Sequence, residues 1–261
     1  MPFAAGLYYH EFTAASPKAL PLVLLHGAGG MHLFWPPEIR RLPGYRVYTL
    51  DLPGHGKSDQ IGGMQTIASY ARKVLDWLEA VGLHSAVFIG HGTVGGAVAS
   101  TLALDHSEHV LGLGLISTAV RFRIDPAVLA DSANSTTFYK AVQSLIAQSF
   151  CDATPNRLVE MAAERMGEVR PSVLHGDLCA SLEFDRFEDI GNIRCPTLVV
   201  CGELDQVTPL RSSQHLADSI RGAELLIVPQ AGHMVFLEKP KAVSTALLSF
   251  LSRIPSLVGE I

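Results

Sequence analysis

The sequence predicts an α/β protein, a doubly wound and mostly parallel sheet with a helical segment inserted late in the chain. Three observations lead there. Short apolar runs of strand length recur between longer stretches of helical spacing. The runs are hydrophobic almost without interruption, as in strands covered on both faces. The alternation then breaks between residues 119 and 193, where helical segments follow one another with no strand among them.

In chain order, residues 7–12 predict an early edge strand, and the runs 20–25, 47–50, 86–89, 110–116, 197–201 and 224–228 predict the main strands. Between them, residues 66–81, 95–103, 211–220 and 241–250 carry helical spacing, which gives the strand–helix alternation of a doubly wound fold. Within the break, helical segments fall around residues 126–130, 138–149, 156–166 and 171–182. The expected division is a core of residues 1–120 and 191–261 and a helical cap insertion of residues 121–190, without a core of its own. No internal repeat or low-complexity stretch is visible.

Composition narrows the function classes. A chain of 261 residues, 48% hydrophobic and 17% charged, can bury one sizeable core. A net charge of −5 with no basic run argues against nucleic acid. Cys151, Cys179, Cys195 and Cys201 have neither metal-ligand spacing nor the density of a disulfide scaffold, so buried reduced thiols are expected. With no charged leader and no bilayer-length apolar run, the expectation is a soluble cytoplasmic protein that does not engage a membrane.

The chemistry-bearing residues lie in loops that follow strands. His26-Gly27-Ala28-Gly29-Gly30 follows one, and the segment from Asp51 to Asp59, with Gly54-His55-Gly56-Lys57-Ser58 at its centre, follows the next. Phe88-Ile89-Gly90-His91-Gly92-Thr93-Val94-Gly95-Gly96 runs from a strand through glycines into a small-residue helix. The segments from Cys201 to Pro209 and from Ala231 to Pro240 come last. Together these motifs resemble the α/β-hydrolase superfamily over essentially the whole chain. The passage from Asp177 to Asp185 is similar to its small serine-hydrolase-like branch with a helical cap.

The resemblance implies an acid at Asp205 and a base at His233, in the family's order of nucleophile, acid and histidine. Asp205 would accept the imidazole N–H, set the tautomer and stabilise the imidazolium. The backbone N–H of Ala28, joined by that of Thr93 or Val94 after the nucleophile position, would form an oxyanion hole. A histidine such as His91 packs beside the site in this family. Asp51 and Asp59 read as local hydrogen-bonding groups of a structural turn. Met31, Phe34, Trp35, Phe122, Met234 and Phe236 flank the expected mouth, as candidates for an apolar pocket or for core packing. His32 is either a substrate contact or a solvent-facing loop residue.

The nucleophile itself is missing from the expected pattern Gly-x-Ser-x-Gly. Counting from the strand, its position is Gly92; counting back from Gly95-Gly96, it is Thr93, because one residue is extra. A β-branched residue is an outlier at positive φ, whereas glycine adopts it freely, which favours Gly92 at the apex and Thr93 as a helix cap. Restoring the spacing would take a serine at Gly92 and removal of Val94. The implied function is hydrolysis of a small apolar ester, lactone or related acyl compound by an Asp205–His233 pair, with the nucleophile absent or supplied by Thr93. A non-covalent acid/base catalyst of lyase or cofactor-free oxygenase type, and a non-catalytic ligand-binding protein, remain open. The expected partner is a small molecule, with no cofactor, no metal, no nucleic acid and no membrane.

Overall fold

The structure, a computed structural model, describes residues 2–12, 19–60 and 64–254. Residues 1, 13–18, 61–63 and 255–261 of the expected core lie outside the described residues. The described chain forms one sheet from β1 (Phe3–Ala4), β2 (Leu7–Phe12), β3 (Pro21–Leu25), β4 (Arg46–Leu50), β5 (Ala86–His91), β6 (Val110–Ile116), β7 (Thr197–Gly202) and β8 (Glu224–Val228). Their order is β1-β2-β4-β3-β5-β6-β7-β8. The strands from β3 to β8 run parallel, while β1 and β2 are antiparallel. The strand at residues 7–12 is therefore not the edge. Phe3 and Ala4 pair with Tyr8 and Leu7 and cover its outer side, a pairing too short to register as an apolar run.

The helices are α1 (Pro37–Arg40), α2 (Ile67–Ala80), α3 (Ala97–Asp105), α4 (Pro126–Ala133), α5 (Phe138–Ser149), α6 (Asn156–Gly167), α7 (Pro171–Glu183), α8 (Leu210–Ser219), α9 (Val235–Glu238) and α10 (Pro240–Leu251). Strand alternation sends neighbouring side chains to opposite faces. Leu22 and Leu24 of β3 join a core with Ile39 of α1 and Val243, Leu247 and Phe250 of α10. Val23 and Leu25 join a second core with Tyr70, Val74 and Trp77 of α2, Val98 and Leu102 of α3, and Leu216 of α8. Burial on both faces explains why β3 reads as an unbroken apolar run. Each such side chain contributes about 1.5–3 kcal/mol. Helix α2 begins where Thr66 accepts a hydrogen bond from the Ser69 N–H at 3.2 Å, a side-chain cap on its first turn.

The helices α4 to α7 stand between β6 and β7. Phe138, Val142 and Ile146 of α5, Met166 of α6 and Leu174 and Leu178 of α7 share the first core with the sheet. The four cysteines are free thiols; Cys151 and Cys201 are buried, but Cys179 and Cys195 only partly so. Among the described residues no helix is long and apolar enough to cross a membrane.

The sharpest local constraint lies between β5 and α3. There a π-helical turn, Gly92–Gly96, joins the strand to the helix, over the residues where the sequence carries one more than the expected pattern. Gly95 lets this turn press on β3, because a Cβ there would collide with the carbonyl oxygens of Leu25 and His26. Both are backbone atoms and have nowhere to retreat. Gly95→Ala should therefore cost stability at the upper end of the ~1–3 kcal/mol typical of overpacking. Urea unfolding of the variant against wild type measures this.

Candidate active site

The loops at the carboxyl ends of the parallel strands converge, as expected for an open α/β sheet. After β7, Asp205 is held by the Val207 and Thr208 N–H groups, at 2.9 and 2.8 Å, and by the Thr208 hydroxyl at 2.8 Å. After β8, His233 turns its Nδ1 to Asp205, 3.0 Å from Oδ2 and 3.2 Å from Oδ1. Both residues are buried. Burial alone would raise the Asp205 pKa, but the His233 charge and the hydrogen bonds from His233 and Thr208 outweigh it and hold the carboxyl below its ordinary value. In the neutral ring whose Nδ1–H donates to the carboxylate, Nε2 is the nitrogen that would carry the lone pair.

That Nε2 looks at Gly92. The glycine has φ +67°, and a Cβ built on it would lie 3.3 Å from His233 Nε2. The Gly92 carbonyl accepts a hydrogen bond from the Thr118 hydroxyl, from the loop after β6, at 2.8 Å. Thr93, the alternative position, lies in the turn and lines the cavity. The side-chain partners of the His233 ring are Asp205 and Thr208, not Thr93. The expected capping role of the Thr93 hydroxyl is corrected: Thr93 lies inside the π turn, the cap positions of the turn and of α3 are His91 and Gly96, and neither element has a side-chain cap hydrogen bond. Val94 is buried in the second core.

In front of His233 lies a narrow cavity of about 60 Å³. Of the residues expected there, Phe34, Trp35, Met234, Phe236 and Ala28 line it. Met31, His32 and Phe122 do not. Met31 packs in the first core, and Phe122 stacks on Phe184 at 5.7 Å. His32 is buried rather than solvent-facing, because its Nδ1 and N–H bond Asp51 Oδ1 at 2.9 and 2.7 Å. Asp51 also accepts the Lys57 N–H at 2.9 Å, so it organises its turn and anchors His32 as well. Ile124, Leu145, Ser149, Met166 and Leu178, all from the segment between β6 and β7, complete the wall. Helical spacing identified those helices but not which of their faces meets the sheet.

Three histidines line the cavity, and of these His233 turns its Nε2 toward Gly92, with no hydrogen-bond partner for that nitrogen among the described residues. His26 donates Nδ1–H to the Gly27 carbonyl at 2.8 Å and accepts the Leu52 N–H at Nε2 at 2.9 Å. Its burial, then His55 nearby, pushes its pKa down to about 4. His91 donates from Nε2 to the His233 carbonyl at 3.3 Å and packs on the His233 ring at 4.7 Å. Burial, then the His233 charge, holds its pKa well below the ordinary imidazole value.

The most elaborate buried cluster was not singled out from the sequence. Asp177 of α7 accepts the Gly29 N–H at 2.8 Å and the His55 Nε2–H at 2.9 Å on Oδ2, and the Tyr70 hydroxyl at 2.5 Å on Oδ1. His55 also donates Nδ1–H to the Pro53 carbonyl at 3.0 Å. Both His55 nitrogens thus face acceptors, which describes an imidazolium against a carboxylate. Burial opposes both charges, yet their attraction and hydrogen bonds raise the His55 pKa and lower that of Asp177.

With this geometry in place, the comparisons with known proteins are specific. The chain matches the Alpha/beta hydrolase family over residues 22–246 and belongs to it. It is 30% identical to "Putative carbamate hydrolase RutD" of Caulobacter sp., over 95% of this chain and 96% of that protein. It is also 30% identical to the pimeloyl-[acyl-carrier protein] methyl ester esterase of Yersinia enterocolitica, over 88% of this chain and 92% of the relative. Among solved structures, a thermophilic esterase superposes with a TM-score of 0.81 at 32% identity, covering 97% of this chain and 96% of the other.

The pH dependence of the Asp177–His55 pair has a definite sign. The depressed Asp177 pKa gives stability present above the unfolded value, about 3.9, and lost as pH falls through the folded one. The raised His55 pKa gives stability fully present below the unfolded value, about 6.5, and lost as pH rises through the folded one. The pair therefore contributes most between about pH 4 and pH 6.5. Buried neutral His26 and His91 act oppositely, weakening the fold in acid, so the quantity to measure is a difference between variants. Asp177→Asn should lose about 3–5 kcal/mol of unfolding free energy in mildly acidic buffer. That loss should shrink as the pH is raised through the His55 titration, read from urea unfolding across a pH series.

Proposed function

We propose that the protein hydrolyses a small, largely apolar ester or carbamate, with His233 activating a water molecule directly and no acyl-enzyme intermediate. One observation carries this reading: at the turn where a nucleophile would stand, the residue whose Cβ direction meets His233 Nε2 is Gly92, which has no side chain. The apolar cavity supports the substrate class, as do the names of the relatives, which describe a carbamate hydrolase, a methyl ester esterase and an esterase.

In this reading His233 Nε2 takes a proton from water as the water oxygen attacks the acyl carbon. The resulting oxyanion is met by the backbone N–H of Ala28 and of Thr93, with that of Val94 next in the turn. Asp205 holds Nδ1–H and stabilises the imidazolium. Collapse expels the alcohol oxygen, which takes the proton back from Nε2, leaving acid and alcohol. Residues 121–190 act as the cap, contributing the wall from Ile124 to Leu178. The proton-abstraction alternative would use the same pair without water.

The test is a panel of short-chain esters and carbamates. His233→Ala should lower kcat/KM by about 10²–10⁴-fold, while Thr93→Ala should leave it nearly unchanged. Acid-quenched wild type should show no acyl adduct by mass spectrometry and no fluorophosphonate label. An inactive Thr93→Ala variant, with an adduct on Thr93 in wild type, would overturn the water route.

Gly92→Ser is the complementary experiment. Since position 92 of the π turn already faces His233, removal of Val94 is unnecessary. The serine would occupy a left-handed backbone at a cost of about 1–2 kcal/mol. It should label covalently with fluorophosphonate, and the label should disappear when His233→Ala is added.

A further inference from the structure

Beyond the cavity lies a wider cleft of about 530 Å³, lined by the segment from Ala119 to Asp125, by Val128, by Leu145 and Gln148 of α5, by Phe187, and by residues from Gln206 to His215. Ile124, Leu145 and Val207 line both spaces, so the cleft and the cavity are neighbours that share these apolar side chains. All three are partly exposed, whereas Trp35, Phe236 and Leu178 deeper in the cavity are buried. A chain seated with its reactive end at Gly92 and its body against these apolar walls would emerge there.

The cleft is basic in a chain whose net charge is −5. Arg121, Arg123 and Arg211 line it, against one lining carboxylate, Asp125, which is engaged with the Ala127 N–H at 2.8 Å. Arg121 pairs with Asp185 at 2.6 Å and lies over the Phe187 ring, whose other neighbour is the stacked His215 ring at 4.8 Å. Among the described residues Arg123 and Arg211 have no hydrogen bond or ion pair, and buried His215 Nε2 has no hydrogen-bond partner. Arg211 also borders Asp152 and Glu203 in a neighbouring depression, so Arg123 and Arg211 must be tested separately as well as together. Guanidinium groups with unspent donors are suited to paired hydrogen bonds with a carboxylate.

We propose that this cleft receives the anionic end of the substrate: an acyl compound with an apolar middle and a carboxylate remote from its scissile bond. The assignment rests on the reading of the cavity as the reaction site. It specifies a substrate class, and it makes Arg123 and Arg211 specificity residues rather than catalytic ones.

The experiment uses hydrolysis-resistant ligands that differ only in the far-end charge. The N-methyl monoamides of a medium-chain α,ω-diacid series, each with a free carboxylate, are compared by calorimetry with the neutral N,N′-dimethyl diamides of the same length. Wild type should bind the carboxylate ligand up to about tenfold more tightly at low salt, from two exposed charge contacts of modest size each. The preference should fall as salt is added. It should be halved or more in Arg123→Gln and in Arg211→Gln, and abolished in the double variant, with Tm unchanged because both side chains are exposed.

Equal binding of charged and neutral ligands, no binding of either, or a preference retained by the double variant would overturn the proposal. Ester turnover measured in parallel keeps the two readings apart. Turnover of neutral esters with no charge preference removes the cleft assignment and leaves the hydrolase reading. A charge preference without turnover of any ester does the reverse.

Discussion

The Asp177 carboxylate is the acceptor on which the glycine turn, the loop after β4, helix α2 and helix α7 converge. Gly29, His55 and Tyr70 each spend a donor on it, and all four groups are out of reach of bulk water. A buried charge of this kind is tolerable only when its acceptor sites are filled, so each partner restricts the positions of the others. The consequence reaches the candidate oxyanion turn directly. Gly29 follows Ala28, and its N–H is pinned from the side of the inserted helices. The segment that walls the cavity is thereby tied to the glycine turn.

Three buried Asp–His pairs lie near one another, and they are chemically unequal. His55 has both nitrogens committed to acceptors, and His32 is spent on Asp51 beside a Tyr8 ring. Among the described residues the His233 ring is hydrogen-bonded at Nδ1 only, with Nε2 directed at the place where a nucleophile side chain would stand. A hydrogen-bonded pair becomes an acid–base device when one ring nitrogen is left facing a substrate space. That geometric difference, and not the identity of the two residues, separates the candidate catalytic pair from the two architectural ones.

The passage from β5 to α3 is set by a turn that begins at Gly92. The turn is π-helical over Gly92–Gly96, and α3 begins at Ala97. Gly92 stays in the left-handed region, and the Thr118 hydroxyl secures its carbonyl. Position 92 thus carries no side chain while Asp205 and His233 stay paired, which is why a water route is the chemistry proposed.

Much of this was legible in the chain. Parallel strands buried on both faces must be apolar throughout, so β3 to β7 and the break after β6 could be read from hydrophobicity alone. Loop residues that follow strands must gather at one end of such a sheet, so Asp205 and His233 could be paired by motif and order. The positive φ of Gly92 followed from the steric difference between glycine and threonine. Other features have no local signature. Asp177 lies 122 residues from His55 and 148 from Gly29, and nothing in its neighbourhood announces a charge cluster. Met31, Phe34 and Trp35 lie close together in the chain and all join the first core, yet after the turn through His32–Phe34 only Phe34 and Trp35 of the three also line the cavity. Side-chain direction over such a turn, the face that each inserted helix presents, and the partner of a buried carboxylate all depend on how distant segments pack. Those choices were made by close packing and by the requirement that buried polar groups find one another, neither of which a linear pattern encodes.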